Sequence, residues 1–329
     1  MPGRVIDDPL FDLLNFARPG LGRRDHLTPT QVQQIARTVS RVPEVMVKVL
    51  AQGASDPGAV CRHLDYIGRK GDLDLETDDG VTLRGAHVGK GLIEDWDLEF
   101  DEERSRADLV SRPSRQAPRL VHKLVFSMPA GTSSEKVIRA VQNFCRDEFA
   151  LKHRYAMALH TDEPHPHVHV VLKAVSEQGE RLNIRKATLR QWRAEFARHL
   201  WALGVPANAT QRYVRGETSP RKSDGIYRAS LRGESTHMRK RVEAAARELS
   251  ECRARVEPGK VKLVETRRNI RRAWWVVSEV LMREHQPDLA SQVRRFTDEM
   301  PAPLTEREWF ARMLAARVNE PRSREQRSR

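Results

Sequence analysis

The sequence predicts an α+β protein, in which an antiparallel β-sheet core flanked by helices precedes a mostly helical, basic C-terminal region. Short segments of strand-like alternation at 120–128, 154–159 and 167–174 surround one amphipathic helical segment at 133–149. The last two strands are joined by a short loop rich in proline and acidic residues, as in a hairpin. After Gly216 the alternation gives way to long charged stretches with helical spacing.

The elements before this core are fewer. Residues 1–43 form a leader with one predicted helix, because Thr28 is a helix cap followed by proline and by apolar residues at helical spacing. Residues 45–50 alternate like a strand. A second helix follows Asp56 and Pro57, and the unit closes at Gly71 and a turn at 78–80.

The core continues into further elements. Residues 93–118 are polar and predict an exposed helix and loop. Ser133 caps the helix at 133–149. Beyond the hairpin we expect an edge strand at 182–184 and a helix at 187–203, and then charged helices at 237–255 and 260–284, a helix at 304–318 and a disordered end.

Three regions follow from this organisation: a leader (1–43), a domain that contains the predicted sheet (44–216) and a basic helical C-terminal region with a disordered end (217–329). Lysine and arginine total 58 against 45 aspartate and glutamate, a formal charge of +13. Such a surplus suits a polyanionic partner, because each neutralised phosphate releases condensed counterions. A nucleic acid is therefore an expected partner.

Other protein classes are disfavoured. No apolar run approaches the ~18 residues that span a bilayer, so we expect no membrane insertion. The acidic N-terminus lacks the pattern of a secretory signal, which predicts a cytoplasmic protein. Three distant cysteines indicate neither a disulfide framework nor a thiolate zinc site.

The strongest chemical signal is a histidine cluster between residues 160 and 169. His167 and His169 face the same side of a strand, while the valines between and after them face the other. His160 ends the preceding strand of the hairpin and can face them. Three neutral imidazoles on one face form a three-coordinate divalent metal site with open positions, which is typical of catalysis.

Polar neighbours complete this cluster. Asp162 and Glu163 suit the role of carboxylates that orient a ligating histidine by accepting its second N–H. His165 lies between two prolines that disrupt the strand period, so its direction is open.

A metal that polarises a phosphate also needs a nucleophile, and the chain has four tyrosines. Tyr66 lies in RHLDYIGRKG, where cations on both sides suit a phosphodiester and favour the phenolate. This context alone favours a packing role for Tyr66 over a catalytic one.

The segments LDYIGRKGDLDLE, HKLVFSMPAGTSSEKVIRAVQNF and HTDEPHPHVHVVLKA, in this order, resemble three motifs of the relaxases of conjugative and mobilisable plasmids. The resemblance is to the P-class, VirD-type mobilisation relaxases of the HUH endonuclease superfamily. It covers residues 45–214.

The resemblance implies a role for each motif. Tyr66 attacks DNA, Ser127 and nearby backbone help to hold it, and Asp162 is a base or orients a histidine. The metal ligands implied are His160, His167 and His169. His165 is a candidate substrate contact, and Arg69 and Lys70 are candidate phosphate contacts by their charge.

The expected function is strand-specific DNA nicking and closing at a transfer origin, through a 5′-phosphotyrosine link that initiates DNA transfer. Mn or Mg is the expected metal, Zn and Ni are compatible, and no nucleotide cofactor is needed. Accessory transfer proteins, a coupling protein and a type IV secretion channel, which the basic end RSREQRSR would address, are the expected partners, with export of the DNA-linked protein.

Two alternatives stay open. A rolling-circle replication initiator shares this chemistry but usually places its tyrosine after the histidine motif, where Tyr213 and Tyr227 are available. A non-catalytic DNA-binding accessory protein with a structural metal site would bind DNA without cleaving it.

Overall fold

A computed structural model describes residues 12–17, 26–50, 55–103, 118–217 and 258–319, with six positions between 236 and 247. These residues form two compact units. The sheet unit comprises the described residues from Ser40 to Ala209, and the helical unit comprises those from Asp12 to Val39 and from Thr210 onward. Most of the predicted helix at 237–255, residues 104–117 and the chain end after 319 lie outside the described residues.

The sheet unit contains one six-stranded antiparallel sheet in the order β1-β4-β6-β5-β2-β3. This confirms the predicted fold class. The strands are β1 (Met46–Val49), β2 (Leu75–Thr77), β3 (Thr82–Leu83), β4 (Val121–Ser127), β5 (Tyr155–His160) and β6 (His167–Lys173).

One face of the sheet packs on two long helices, α6 (Ser134–Phe149) and α7 (Lys186–Ala202). Val168 and Val170 point into this core, because alternate residues of a strand share a face. Ser133 caps α6 by accepting a hydrogen bond from the Lys136 amide at 3.4 Å.

The opposite face of the sheet is covered in part by α3 (Pro57–Ile67) and α4 (Val88–Asp95), and α5, whose described residues are 98–103, follows. Asp56 caps α3 by accepting from the Ala59 amide at 2.8 Å, and Pro57 occupies the first turn, where a missing N–H costs nothing. The buried side of α3 carries Val60, Leu64 and Ile67.

One predicted strand of the sheet unit was wrong, and one hairpin was missed. The predicted edge strand at 182–184 is absent, because Leu182 and Ile184 pack partly buried against the α6–α7 core and only an isolated bridge joins Val175 to Arg181. The predicted turn at 78–80 is present, and it connects β2 and β3 in a hairpin too short to leave an alternating pattern in the sequence.

The helical unit has its own core. Its helices are α1 (Leu13–Phe16), α2 (Pro29–Val39), α8 (Pro258–Arg283), α9 (Pro287–Asp298) and α10 (Glu306–Asn319). Trp274 is buried and donates to the carbonyl of Val214 at 2.9 Å. The leader helix thus packs with the C-terminal helices. Among the described residues, no helix is both long enough and apolar enough to cross a membrane.

Candidate active site

Three histidines converge on the face of the sheet that α3 covers in part. His160 on β5 and His167 on β6 are directly paired across the ladder, and His169 lies two residues along β6 on the same face. Their ring centroids lie 4.6–5.3 Å apart. One nitrogen from each ring lies within 4.8 Å of the others, which fits the predicted three-histidine metal site.

The hydrogen bonds of His160 identify its tautomer. Its Nε2 lies 2.7 Å from the carbonyl oxygen of Ile67, which only accepts, so this nitrogen carries the proton. Its Nδ1 lies 3.4 Å from Nη2 of Arg69, which only donates. His160 is therefore neutral and presents a lone pair at Nδ1.

Burial favours the neutral form of two of the three histidines, His160 and His169. It lowers the pKa of His169 to about 3, helped by the neighbouring His160 and His167, and it also lowers the pKa of His160. Nδ1 of His169 is buried without a hydrogen-bond partner in the described structure. Since neutral imidazole is the metal-binding form, these residues fit a divalent ion.

Tyr66 lies at the C-terminal end of α3, one residue before the carbonyl that His160 contacts. Its side chain is 50% exposed, although it lies beside a buried core. The phenol is therefore accessible to a ligand. A tyrosine placed only for packing would be expected to bury its ring.

Arg69 connects the tyrosine to the histidine hairpin. It pairs with the carboxylate of Asp162, its guanidinium carbon lies 5.5 Å from the centre of the Tyr66 ring, and it reaches Nδ1 of His160. The backbone of Arg69 and Lys70 is left-handed, with φ of 52° and 56°. Such conformations are costly for non-glycine residues and occur preferentially at functional sites.

His63 was not among the residues predicted to have a role. It lies three residues before Tyr66 on α3. Their rings are nearly parallel with centroids 6.1 Å apart, and the His63 ring lies 6.5 Å from that of His169. Burial and the nearby Lys123 lower the pKa of His63 to about 4. The sequence did contain a signal for His63, because residues i and i+3 of a helix lie on one face and His63 is three residues before Tyr66.

The other candidate residues are distributed around this centre. Glu163 pairs with His165 at 2.7 Å, and His165 lies beside His167. These three residues form a second group of potential metal ligands, more exposed than the first. Ser127 is buried and pairs with His167 in the β4–β6 ladder, whereas Lys70 is exposed on the turn after α3.

Comparisons with known proteins agree with this geometry. Residues 66–200 match the family model of the relaxases described as MobA/VirD2-like, nuclease domain. The chain is also similar to the T-DNA border endonuclease VirD2 of Rhizobium radiobacter, with 26% identity over 196 residues that make up 53% of this chain and 43% of the relative.

A second relative is the T-DNA border endonuclease VirD2 of Agrobacterium fabrum, with 24% identity over 217 residues. This alignment covers 60% of the chain and 46% of the relative. In both cases the similarity spans less than half of the relative's length.

Proposed function

Because residues 66–200 match the family model of the MobA/VirD2-like relaxase nuclease domain, we propose that the chain nicks one strand of DNA with Tyr66 as nucleophile and initiates DNA transfer. One observation carries this assignment. The exposed Tyr66 phenol lies on a helix whose last carbonyl, that of Ile67, accepts a hydrogen bond from His160 of the three-histidine cluster.

The histidine cluster would hold the metal. A divalent ion on His160, His167 and His169 would supply Lewis-acid stabilisation of the charge that develops on the scissile phosphate oxygens. Mn or Mg is the ion we propose, since oxygen-rich phosphate substrates and open coordination positions suit both.

Tyr66 performs the covalent step. Its Oη attacks phosphorus, a Tyr–O–P bond forms, and the bond to the 3′-oxygen breaks while the 5′-phosphate stays on the protein. The phenol loses one proton and the leaving 3′-oxygen takes up one, so the step is balanced and ends in a free 3′-hydroxyl. The 5′-phosphotyrosine keeps the energy of the original ester. Closing the nick is then the same reaction in reverse.

Asp162 is the proposed acceptor of the phenolic proton. It is held by the same Arg69 guanidinium that lies over the Tyr66 ring, which links this carboxylate to the nucleophile by direct contacts. Lys70, Ser127 and His165 are proposed to contact the DNA around the scissile bond.

The physiological role is proposed by relationship. The relatives are named T-DNA border endonucleases, and strand transfer is the process we infer for this chain. Accessory transfer proteins, a coupling protein and a type IV secretion channel are the proposed partners. The basic end 322–329 is proposed to address that channel from the cytoplasm.

The test is covalent capture. Single-stranded oligonucleotides from the DNA flanking the gene are incubated with the full chain and Mn²⁺ and then separated on a denaturing protein gel. We expect a slower, DNA-linked band that EDTA abolishes. Tyr66→Phe should reduce its yield at least about a thousandfold, as expected when a nucleophile is removed.

Matched variants decide between the alternatives. Tyr213→Phe and Tyr227→Phe should leave the band unchanged. If either variant abolishes it and Tyr66→Phe does not, the chain is a replication initiator. Tight DNA binding without an adduct on any flanking strand would instead identify an accessory protein.

A further inference from the structure

Arg69 occupies the position at which nucleophile, carboxylate and metal ligand meet. It contacts the Tyr66 ring, the Asp162 carboxylate and Nδ1 of His160. The last contact has a consequence for the metal site. Because Nε2 of His160 donates to the carbonyl of Ile67, the lone pair at Nδ1 is the only one that this ring offers.

A metal ion and Arg69 therefore require the same lone pair. A zinc-like ion binds imidazole nitrogen at ~2.0–2.1 Å, along the direction in which an N–H donor would approach. Nη2 of Arg69 lies 3.4 Å from Nδ1, so both cannot bind this nitrogen together. The guanidinium also places a positive charge beside the site, which opposes a second cation.

We propose that Arg69 is an exchangeable positioning residue, which binds Nδ1 of His160 in the DNA-free protein and moves to a phosphodiester oxygen when DNA arrives. This inference rests on the proposed function, because the DNA phosphate is the new partner. Metal and DNA then bind cooperatively: the phosphate removes Arg69 from the ligand, and the vacated ligand accepts the ion.

The contacts of Arg69 suit such an exchange. Its side chain is 35% exposed and that of Asp162 is 55% exposed, and ion pairs in this setting contribute little net stability. A guanidinium also binds a phosphate with two parallel hydrogen bonds, which is a stronger interaction than its single bond to a neutral imidazole.

The backbone keeps Arg69 close to both partners. Gly71 follows the two left-handed residues with φ of 102°, and a Cβ at this position would lie 2.4 Å from the backbone of Gly85. This close approach fixes the turn that follows α3. Only the side chain of Arg69 needs to move.

Linkage makes the proposal measurable. If DNA tightens metal binding by some factor, the metal must tighten DNA binding by the same factor. Free Mn²⁺ is titrated by electron paramagnetic resonance in the full chain carrying Tyr66→Phe, which prevents cleavage. The titration is done with and without the single-stranded oligonucleotides that flank the gene.

We expect the oligonucleotide to tighten Mn²⁺ binding about tenfold, the effect of releasing one charge-assisted hydrogen bond. Adding Arg69→Gln should tighten Mn²⁺ binding about tenfold without DNA, and DNA should then have less than about a twofold effect. Circular dichroism checks that this variant is folded.

Lys90→Gln is the matched control, because it removes a positive charge from an exposed side chain on α4, which packs beside α3. It should leave Mn²⁺ affinity nearly unchanged. Equal gains from Lys90→Gln and Arg69→Gln would mean that charge alone matters, and unchanged affinity in Arg69→Gln would mean that Arg69 does not compete. Either result overturns the proposal.

These readouts separate the two hypotheses. Suppose that Mn²⁺ and DNA bind cooperatively in a way that depends on Arg69, but that the chain with native Tyr66 forms no covalent adduct. This result would refute the nicking function alone. If the covalent adduct forms but Arg69→Gln leaves the Mn²⁺ affinity unchanged, the exchange alone is refuted.

Discussion

The two units bury different kinds of polar side chain. In the sheet unit four histidines are buried, namely His122, His153, His160 and His199. In the described part of the helical unit the buried polar groups are amide, hydroxyl or guanidinium side chains: Gln34, Thr38, Arg267, Ser278, Thr297 and Thr305. The sheet unit therefore buries imidazole side chains, and none is among the buried polar groups of the described part of the helical unit.

Two arginines illustrate what this difference means. Arg267 of the helical unit is 7% exposed. It donates hydrogen bonds to the backbone carbonyls of Gly216 and Pro301, so its role is structural. Arg69 of the sheet unit is half-buried and bonds to groups that can take other partners. One arginine donates to backbone carbonyls of a packed core, and the other is the residue that we propose to exchange partners.

Removing a histidine of the triad tests the chemical role of the sheet unit and should give the largest effect. We expect His169→Ala to weaken Mn²⁺ binding at least about a hundredfold, more than the loss of a residue that only supports a ligand. Isothermal titration of the full chain with Mn²⁺ measures this.

His165→Ala is the control for that experiment, because His165 belongs to the more exposed ligand group with Glu163 and His167. It should have a small effect. A large loss for His165→Ala with none for His169→Ala would place the metal in that second group and invalidate the site described above.

Arg267→Met tests the structural role assigned to the helical unit. It leaves the carbonyls of Gly216 and Pro301 without their donor, and we expect a loss of roughly 3 kcal/mol in the free energy of unfolding, from two charge-assisted hydrogen bonds. Urea unfolding followed by near-ultraviolet circular dichroism gives the value.

Covalent adduct formation by Arg267→Met tests whether nicking by the sheet unit depends on the stability of the helical unit. It is measured at a low temperature, at which the destabilised variant stays folded. We expect it to match that of the parent chain, because the described contacts of Arg267 lie within the helical unit. A proportionate loss of nicking would show that the two units depend on each other energetically.

The smallest expected effect concerns pH. Burial lowers the pKa of His122 and of His153 in the folded sheet unit, whereas the unfolded chain binds protons near the ordinary value of ~6.5. The unfolded state thus holds more protons just below this pH. Stability is retained above pH ~6.5 and falls as the pH drops towards the folded pKa values.

Urea midpoints at pH 7.5 and 5.5 measure this loss. His122→Gln should reduce the number of protons that the protein takes up on unfolding by less than one, since it removes one of several such histidines. An unchanged or steeper dependence would mean that burial of His122 does not contribute to acid sensitivity.

Much of the sheet unit followed from local sequence. The alternation of His167, Val168, His169 and Val170 predicted both the strand and the shared face of the two histidines, because period-2 alternation reflects strand geometry alone. The helix at Ser134–Phe149 also had a cap and an apolar face within one segment. Such features need no distant partner.

The elements that were wrongly predicted or missed are those whose conformation depends on residues far away in the sequence. Leu182 and Ile184 alternate like a strand, but packing against the α6–α7 core satisfies them without a ladder. The β2–β3 hairpin is only three and two residues long, and it forms because β5 offers its edge to β2. Neither outcome can be read from short-range periodicity.

The sequence by itself determined the sheet-and-helix class, the histidine face and the identity of a tyrosine in a basic motif. The tertiary structure alone decided how α3 lies against that face, and so brought His63 and Arg69 to the histidines from about a hundred residues away. It also decided the tautomer of His160, because the carbonyl of Ile67 and the guanidinium of Arg69 reach that ring only after folding. Patterning encodes which side of a strand a residue faces, but the groups opposite it are chosen by packing.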